Sequence, residues 1–351
     1  MTIKDIIVIN FANVRKIALL LVVLAGRIPY ALGQDIHQSQ FYTSPLNLNP
    51  ALTGNFYGDS RIAANYRNQW FLDNLANYLT FTASFDHRFY PKSWKQKGIW
   101  SAGMIINYDQ AGESKLGLSN LGLSVSYAYA VNSKNIVALG ALIGGTSRKF
   151  DANRLTWDSQ WNGRSFDPNL PSGESASPTS NFFMDLSAGL NYRWQKSRRT
   201  KLDAGIGAFH LNRPDQVFYT QNTTQKLENR FSFYITPSVK LTTKIDLLIH
   251  GLFQTQKPYK ESVAGLYGKF YINTKRGKEL ALYLGGAVRP GDALIPKIAV
   301  EYKNWYAGAS YDINTSPFKV ATKRNGGPEI SLTYIFVKAR PLEQIKACPI
   351  F

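Results

Sequence analysis

Strict alternation of apolar residues with small or polar ones is the feature that most constrains this chain. In residues 121–131, LGLSVSYAYAV, every odd position is apolar or aromatic and every even position is Gly, Ser or Ala. Residues 182–194 repeat the pattern, with Asp, Ser, Gly, Asn and Arg opposite the apolar face. A period of two places successive side chains on opposite faces of a β-strand. The sequence therefore predicts an all-β protein with long, two-faced strands.

Two architectures accommodate such strands: a soluble sandwich with its apolar faces inside, and a transmembrane barrel with its apolar faces toward lipid. Three features favour the barrel. The polar faces carry Gly, Ala and Ser, or charges such as Asp86, Asp185 and Arg193, which suit a crowded or wet interior. The strands span roughly 9–13 residues, near the length that a tilted membrane strand needs. Aromatic residues cluster at strand ends, where interfacial girdles lie.

The strand count fits a closed barrel. About fourteen strands are predicted, and an even number suits an antiparallel barrel with both termini in the periplasm. They lie near residues 60–67, 78–89, 98–108, 117–131, 135–148, 180–195, 200–212, 229–242, 244–256, 262–274, 278–289, 293–303, 304–312 and 328–338. The last strand is expected to pair with the first, because lipid cannot satisfy an open sheet edge.

The first 33 residues are typical of a secretory signal peptide. Lys4, Arg15 and Lys16 precede the apolar run at 17–26, and small residues precede a cleavage site after Gly33. The alternative, a transmembrane anchor, needs a longer apolar run of about 20 residues. The expected organisation is a signal peptide at 1–33, an N-terminal extended segment at 34–59, an outer-membrane β-barrel at 60–340 and a C-terminal tail at 341–351 with the single cysteine, Cys348.

Residues 39–55, SQFYTSPLNLNPALTGN, are uncharged, rich in apolar side chains and interrupted by Pro45 and Pro50. Proline removes a backbone donor and clashes with the preceding turn, so the stretch is predicted to be extended and not helical. It precedes the first strand and is expected to start in the periplasm. A lumen of this size is wider than side chains alone fill, so the segment is predicted to plug it; the alternative is a periplasmic collar that binds a partner. The candidate plug or partner-binding residues are Phe41, Tyr42, Leu46, Asn47, Leu48, Asn49 and Pro50.

A second candidate site follows the first predicted strand. Arg67, Asn68, Gln69 and Trp70 combine hydrogen-bond donors with one aromatic ring. Such a cluster could hold the backbone carbonyl groups of an incoming peptide. The alternative is a loop that packs on the mouth of the barrel.

No pattern in the sequence indicates catalysis, a metal or a cofactor. His37, His87, His210 and His250 are scattered and lack metal-ligand spacing, and there is no GxSxG elbow or P-loop. The net charge of +18 favours an acidic partner. A nucleic-acid partner fits poorly with a signal peptide and lipid-facing strands, so none is expected; a barrel phospholipase or a small-molecule porin would be the enzymatic and transport alternatives.

Several stretches, taken in order, resemble the PorP/SprF family of Bacteroidetes outer-membrane proteins, which is associated with the type IX secretion system. They are residues 38–55, NYRNQW at 65–70, YDQAG at 108–112, HLNRP at 210–214, YDINTS at 311–316, GGPEISLTY at 326–334 and the terminal CPIF. Residues 156–169 depart from the family, which tends to have a shorter turn there.

The resemblance implies a non-enzymatic barrel without cofactors that assists the secretion or surface anchoring of large gliding or adhesin-type cargo. The implied partners are the C-terminal domain of a secreted cargo protein, type IX secretion components including a periplasmic lipoprotein, and outer-membrane lipid. The alternative function is a small-molecule porin or transporter of the outer membrane.

Overall fold

The structure is a computed structural model that describes residues 35–70, 77–91, 97–173, 179–216 and 225–338. The expected signal peptide and the C-terminal tail with Cys348 lie outside the described residues. Within those ranges, no helix combines the length and the apolar character needed to cross a bilayer.

In the described part of the chain, fourteen strands close into one antiparallel barrel, which confirms the predicted fold class. The strands in chain order are β1 Ser60–Gln69, β2 Tyr78–Phe89, β3 Gly98–Ala111, β4 Leu116–Ala130, β5 Asn135–Lys149, β6 Ser180–Gln195, β7 Lys201–Phe209, β8 Asp215–Gln216, β9 Gln225–Lys226, β10 Arg230–Lys240, β11 Ile245–Gln256, β12 Tyr259–Asn273, β13 Leu280–Arg289, β14 Ala293–Tyr302, β15 Trp305–Asn314 and β16 Asn325–Phe336. Strands β1–β7 and β10–β16 form the barrel, while β8 and β9 form a separate two-stranded ribbon.

The first and last strands pair as expected. The ladder between β1 and β16 runs from Ser60 opposite Phe336 to Arg67 opposite Glu329. This pairing joins the two edges of the sheet, so their backbone donors and acceptors bond each other and not lipid.

The two faces of the wall differ as the alternation predicts. In β4, the side chain of Leu123 is 60% exposed, whereas its neighbour Ser124 is 4% exposed and faces the interior. The same pattern recurs around the barrel, with apolar side chains outside and polar or small ones inside. The soluble sandwich is therefore excluded, because its apolar faces would be buried against each other.

The two ends of the barrel carry different connections. Ser60 and Phe336 lie at one end, named here the turn end, and the opposite end is the loop end. The two longest connections, residues 150–179 and 210–229, both lie at the loop end. Three short 3₁₀ turns also lie there, Ala152–Arg154, Asp158–Gln160 and Pro317–Lys319. In bacterial outer-membrane barrels the longer loops are extracellular, which assigns the turn end to the periplasmic side.

The proline-interrupted stretch before β1 is not extended, so that part of the prediction was wrong. It forms a 3₁₀ turn at Phe41–Thr43, a one-turn helix α1 at Pro45–Leu48 and a second 3₁₀ turn at Pro50–Leu52. Each proline occupies the first position of its turn, where a missing N–H loses no intrahelical bond and the fixed φ is suitable. Between them, Asn49 Oδ1 accepts a hydrogen bond from Ala51 N at 2.8 Å and caps the second 3₁₀ turn.

Candidate functional site

Residues 35–59, named here the inner segment, run lengthwise along the interior of the barrel. At the loop end, Asp35 Oδ2 lies 2.9 Å from His210 Nε2. At the turn end, Asp59 N donates to the carbonyl oxygen of Phe336 at 2.8 Å. The expectation that the segment starts on the periplasmic side was therefore wrong: Asp35 lies at the loop end, and the chain reaches the turn end only as it enters β1.

One carboxylate of the wall binds two successive backbone amides of the inner segment. Glu329 of β16 is fully buried, and its two oxygens accept hydrogen bonds from Ser39 N at 2.7 Å and Gln40 N at 2.8 Å. Gln40 Nε2 in turn donates to Ser310 Oγ at 3.1 Å. A carboxylate that accepts two successive N–H groups fixes both the position and the direction of the chain.

Buried ion pairs surround this contact. Asp312 of β15 accepts from Arg67 Nη2 at 2.7 Å, from Arg289 Nη1 at 3.1 Å and from the Ser39 hydroxyl at 2.7 Å. Arg289 Nε also lies 2.9 Å from Glu261 Oε1. These charges compensate one another inside the wall, which is the condition for burying them at tolerable cost.

The structure separates the four residues of the second candidate site. β1 extends to Gln69, so Arg67, Asn68 and Gln69 belong to a strand and do not follow it, contrary to the prediction. Arg67 is 2% exposed and donates to the carbonyl oxygen of His37 at 2.9 Å. Trp70 is at the rim, with its ring edge-on to Tyr78 at 4.9 Å. Arg67 thus holds the protein's own inner segment, and the other three lie toward the loop-end mouth.

The aromatic residues of the inner segment pack on the wall of β11, β12 and β14. The ring of Tyr42 lies 3.9 Å from that of His250 and 6.0 Å from that of Tyr267, and Lys297 Nζ lies 4.2 Å from the Tyr42 ring centroid. Phe41 is 5% exposed and packs edge-on against His250. Lys297 Nζ also donates a hydrogen bond to the Tyr42 hydroxyl, so this cluster binds Tyr42 by ring contacts and by a hydrogen bond.

Two asparagines attach the helical turns to the opposite wall. Asn47 exchanges paired hydrogen bonds with Asn107, at 2.9 and 3.0 Å. Asn49 is fully buried and donates to the carbonyl oxygen of Leu190 at 2.9 Å and to the Tyr234 hydroxyl at 3.1 Å. Amide side chains that bond both a turn and a strand fix the orientation of the segment in the lumen.

The apolar candidates are buried, and wall glycines make room for the backbone. Leu46 packs with Ile105 and Leu142, while Leu48 joins the core cluster of Phe41. A Cβ added at Gly140 would lie against backbone atoms of Pro50 and Ala51, and one at Gly207 would lie 2.5 Å from the carbonyl oxygen of Leu48. The absence of a side chain at these two positions is therefore a condition for the close approach of the segment.

At the loop end, a histidine is held between two carboxylates. His210 Nδ1 lies 2.9 Å from Asp185 Oδ1, opposite the contact of Nε2 with Asp35. A neutral imidazole has one N–H, so two carboxylate partners favour the doubly protonated ring. Burial alone would lower the pKa of His210, but the carboxylates of Asp35 and Asp185 raise the pKa to about 9.

The raised pKa of His210 predicts that the stability of the protein depends on pH. Because the folded pKa exceeds the ordinary value of 6.5, the contribution of His210 is fully present below pH 6.5 and is lost as the pH rises through about 9. Between those pH values, we expect the free energy of unfolding of the parent to fall by about 1–3 kcal/mol more than that of His210→Gln. Urea midpoints in detergent, measured for both proteins at each pH, check this. A constant difference between parent and variant would contradict it.

The sequence interpretation missed the wall residues that bind the segment. Asp312, Glu329 and Arg289 lie on inward positions of three different strands. A signal for two of them was present, since Asp312 lies in YDINTS and Glu329 in GGPEISLTY, two of the stretches that carry the family resemblance. Their partners in the inner segment could not be read from the motifs alone.

Comparison with known proteins supports the resemblance. The family described as "Type IX secretion system membrane protein PorP/SprF" matches residues 31–334. No curated protein sequence gives a significant match.

Solved structures similar to this chain include other barrels. A FadL homologue from Pseudomonas aeruginosa is 12% identical, with 82% of this chain and 93% of that chain covered and a TM-score of 0.44. The toluene transporter TodX of P. putida is 10% identical, with 83% and 93% covered and a TM-score of 0.44. At these values the similarity carries no argument about function.

The family match spans most of the chain, including the inner segment and thirteen complete barrel strands with most of the last. This coverage, together with the closed barrel, places the protein: the chain belongs to the PorP/SprF family of type IX secretion system membrane proteins.

Proposed function

We propose that this protein is a non-enzymatic outer-membrane barrel that assists the secretion or surface anchoring of specific large cargo proteins of the gliding or adhesin type. Its membership of the PorP/SprF family is the observation that carries the proposal. The proposed partners are the C-terminal domain of the cargo and other type IX components, including a periplasmic lipoprotein.

The inner segment is proposed to act as a plug. Its contacts with β1, β2, β3, β6, β10, β15 and β16 support this role. A lumen occupied in this way favours a cargo-handling barrel over a small-molecule porin, because a porin requires a continuous aqueous path. The plug role is distinct from cargo binding, since Phe41, Leu46, Leu48 and Asn49 are buried.

The loop-end mouth is the proposed face for cargo. Asn68 lies near this mouth, and Trp70 packs there against Tyr78. The aromatic ring of Trp70 can stack against an incoming polypeptide. Arg67 is excluded from this role by its buried ion pairs.

Deletion of the gene, followed by quantitative proteomics of the cell surface and the culture medium, tests the proposal. We expect the loss of one or a few large secreted proteins, with the remaining type IX substrates unchanged. Restoration of the parent gene is the control and should restore these proteins. Unchanged secretion together with altered uptake of small solutes would contradict the proposal and favour the porin.

A further inference from the structure

Exposed lysine and arginine side chains form a ring around the turn end, named here the basic rim. Its eleven members among the described residues are Lys97, Lys134, Lys196, Arg198, Lys240, Lys244, Lys275, Arg276, Lys278, Lys303 and Lys338. They lie on each turn that joins barrel strands at this end, at the end of β10 and just after β16. Among the described residues at this end, Glu279 is the only exposed acid.

The net charge of the chain does not account for the basic rim. At the loop end, exposed cations such as Lys149 and Lys260 alternate with the exposed acids Glu113, Asp158 and Asp215. The two ends of one barrel therefore differ in charge composition. An even distribution of the excess lysine and arginine would have given both ends the same charge composition.

Several charges that face the interior near the turn end are paired, whereas those of the rim are not. Arg193 pairs with Asp203 at 2.8 Å, and Lys269 pairs with Glu301 at 2.8 Å. Among the described residues, no ion pair joins a member of the basic rim to a carboxylate. In the described part of the chain, the rim thus presents eleven cations against one exposed carboxylate, that of Glu279.

Aromatic side chains lie on the lipid side of the basic rim. Trp100, Tyr129, Tyr192, Tyr302 and Trp305 are all exposed on the outer wall, within a few residues of the turns. Lys303 Nζ lies 5.0 Å from the centroid of the Tyr302 ring. Such aromatic belts mark the level of the lipid headgroups, so the rim cations lie at or just beyond that level.

We propose that the basic rim binds the phosphate groups of anionic lipids in the leaflet at the turn end. The ring surrounds the barrel, as the first shell of lipid does, whereas a single protein partner would cover one side. Positive side chains at this depth attract anionic headgroups. This inference rests on the barrel and its charge distribution and does not require the proposed role in secretion.

Native mass spectrometry of the purified full barrel tests the inference. The protein is released from micelles that contain equal amounts of phosphatidylglycerol and phosphatidylcholine with identical acyl chains. We expect the parent to retain roughly threefold more phosphatidylglycerol than phosphatidylcholine. The triple variant Lys275→Gln, Arg276→Gln, Lys278→Gln should lose much of this preference.

The matched control removes three cations from the opposite end: Lys149→Gln, Lys260→Gln and Lys319→Gln. It should retain the parental preference. A second rim variant, Lys196→Gln with Arg198→Gln, provides an independent test if the triple variant fails to fold, as judged by heat-modifiable migration in gels. Equal retention of both lipids by the parent, or equal losses in rim and control variants, would overturn the inference. Displacement of lipid by polyglutamate at equal charge concentration would favour an acidic protein instead.

Discussion

Asp312→Ala is expected to lower the free energy of unfolding of the barrel by about 3–5 kcal/mol, the usual cost of removing one partner from a buried ion pair. Asp312 is 1% exposed and compensates both Arg67 and Arg289. Without it, the closest remaining carboxylate of Arg67 is Glu329, at 3.8 Å. The hydroxyl of Ser39 also loses its acceptor, so the attachment of the inner segment weakens together with the wall.

Urea titration in detergent, followed by tryptophan fluorescence, measures this loss. Arg154→Ala is the matched control, because its pair with Asp151 is about half exposed, with side-chain exposures of 50% and 45%. Exposed pairs contribute about 0–1 kcal/mol. If Asp312→Ala and Arg154→Ala both shift the urea midpoint by the same small amount, the buried ion pairs of Asp312 do not stabilise the barrel as expected.

Deletion of residues 38–53 is expected to convert a nearly closed barrel into an open pore. The deletion removes the three helical turns and their contacts with Glu329, Asn107 and Tyr234. A barrel with this number of strands has a lumen wider than the wall side chains fill, so single-channel conductance should rise by on the order of tenfold or more. Planar bilayer recordings of the purified parent and the deletion variant measure it.

A point substitution probes the same role without shortening the chain. Gly140→Val places side-chain atoms where the backbone of Pro50 and Ala51 lies, so the segment has to move or the wall has to distort. Gly117→Val is the control, since the nearest atom to an added Cβ there is the carbonyl oxygen of Lys115, at 3.5 Å. In planar bilayer recordings, we expect frequent channel openings for Gly140→Val and the conductance of the parent for Gly117→Val. A folded deletion variant with unchanged conductance would contradict the plug and leave the segment with another role.

The strands could be predicted because the alternation that produces them lies within short stretches of sequence. β2 and β6 begin and end where the alternation predicted, at 78–89 and 180–195. Their apolar faces meet lipid and their polar faces meet the lumen, so the period-two pattern continues along the whole strand. β1 was predicted two residues too short, since Asn68 and Gln69 carry no apolar pattern and are held in the ladder by pairing with Leu79 and Tyr78.

The site was predictable only in part, because its partners are distant in sequence. Asp312 is 245 positions from Arg67, and their contact depends on the closure of the barrel and on its register. The prediction that the prolines keep the segment extended was wrong for a different reason. The rule that proline interrupts helices applies to interior positions, whereas Pro45 and Pro50 start theirs.

The lengthwise path of the inner segment has a consequence for biogenesis. Once β1 and β16 have paired, the continuous ladder leaves no lateral opening in the wall through which the three helical turns of the inner segment could pass. Residues 35–59 therefore enter the lumen either through an open end of the barrel or before β1 and β16 pair. In either case, the hydrogen bond from Asp59 N to the carbonyl oxygen of Phe336 ties the end of the segment to the strand pair that closes the wall.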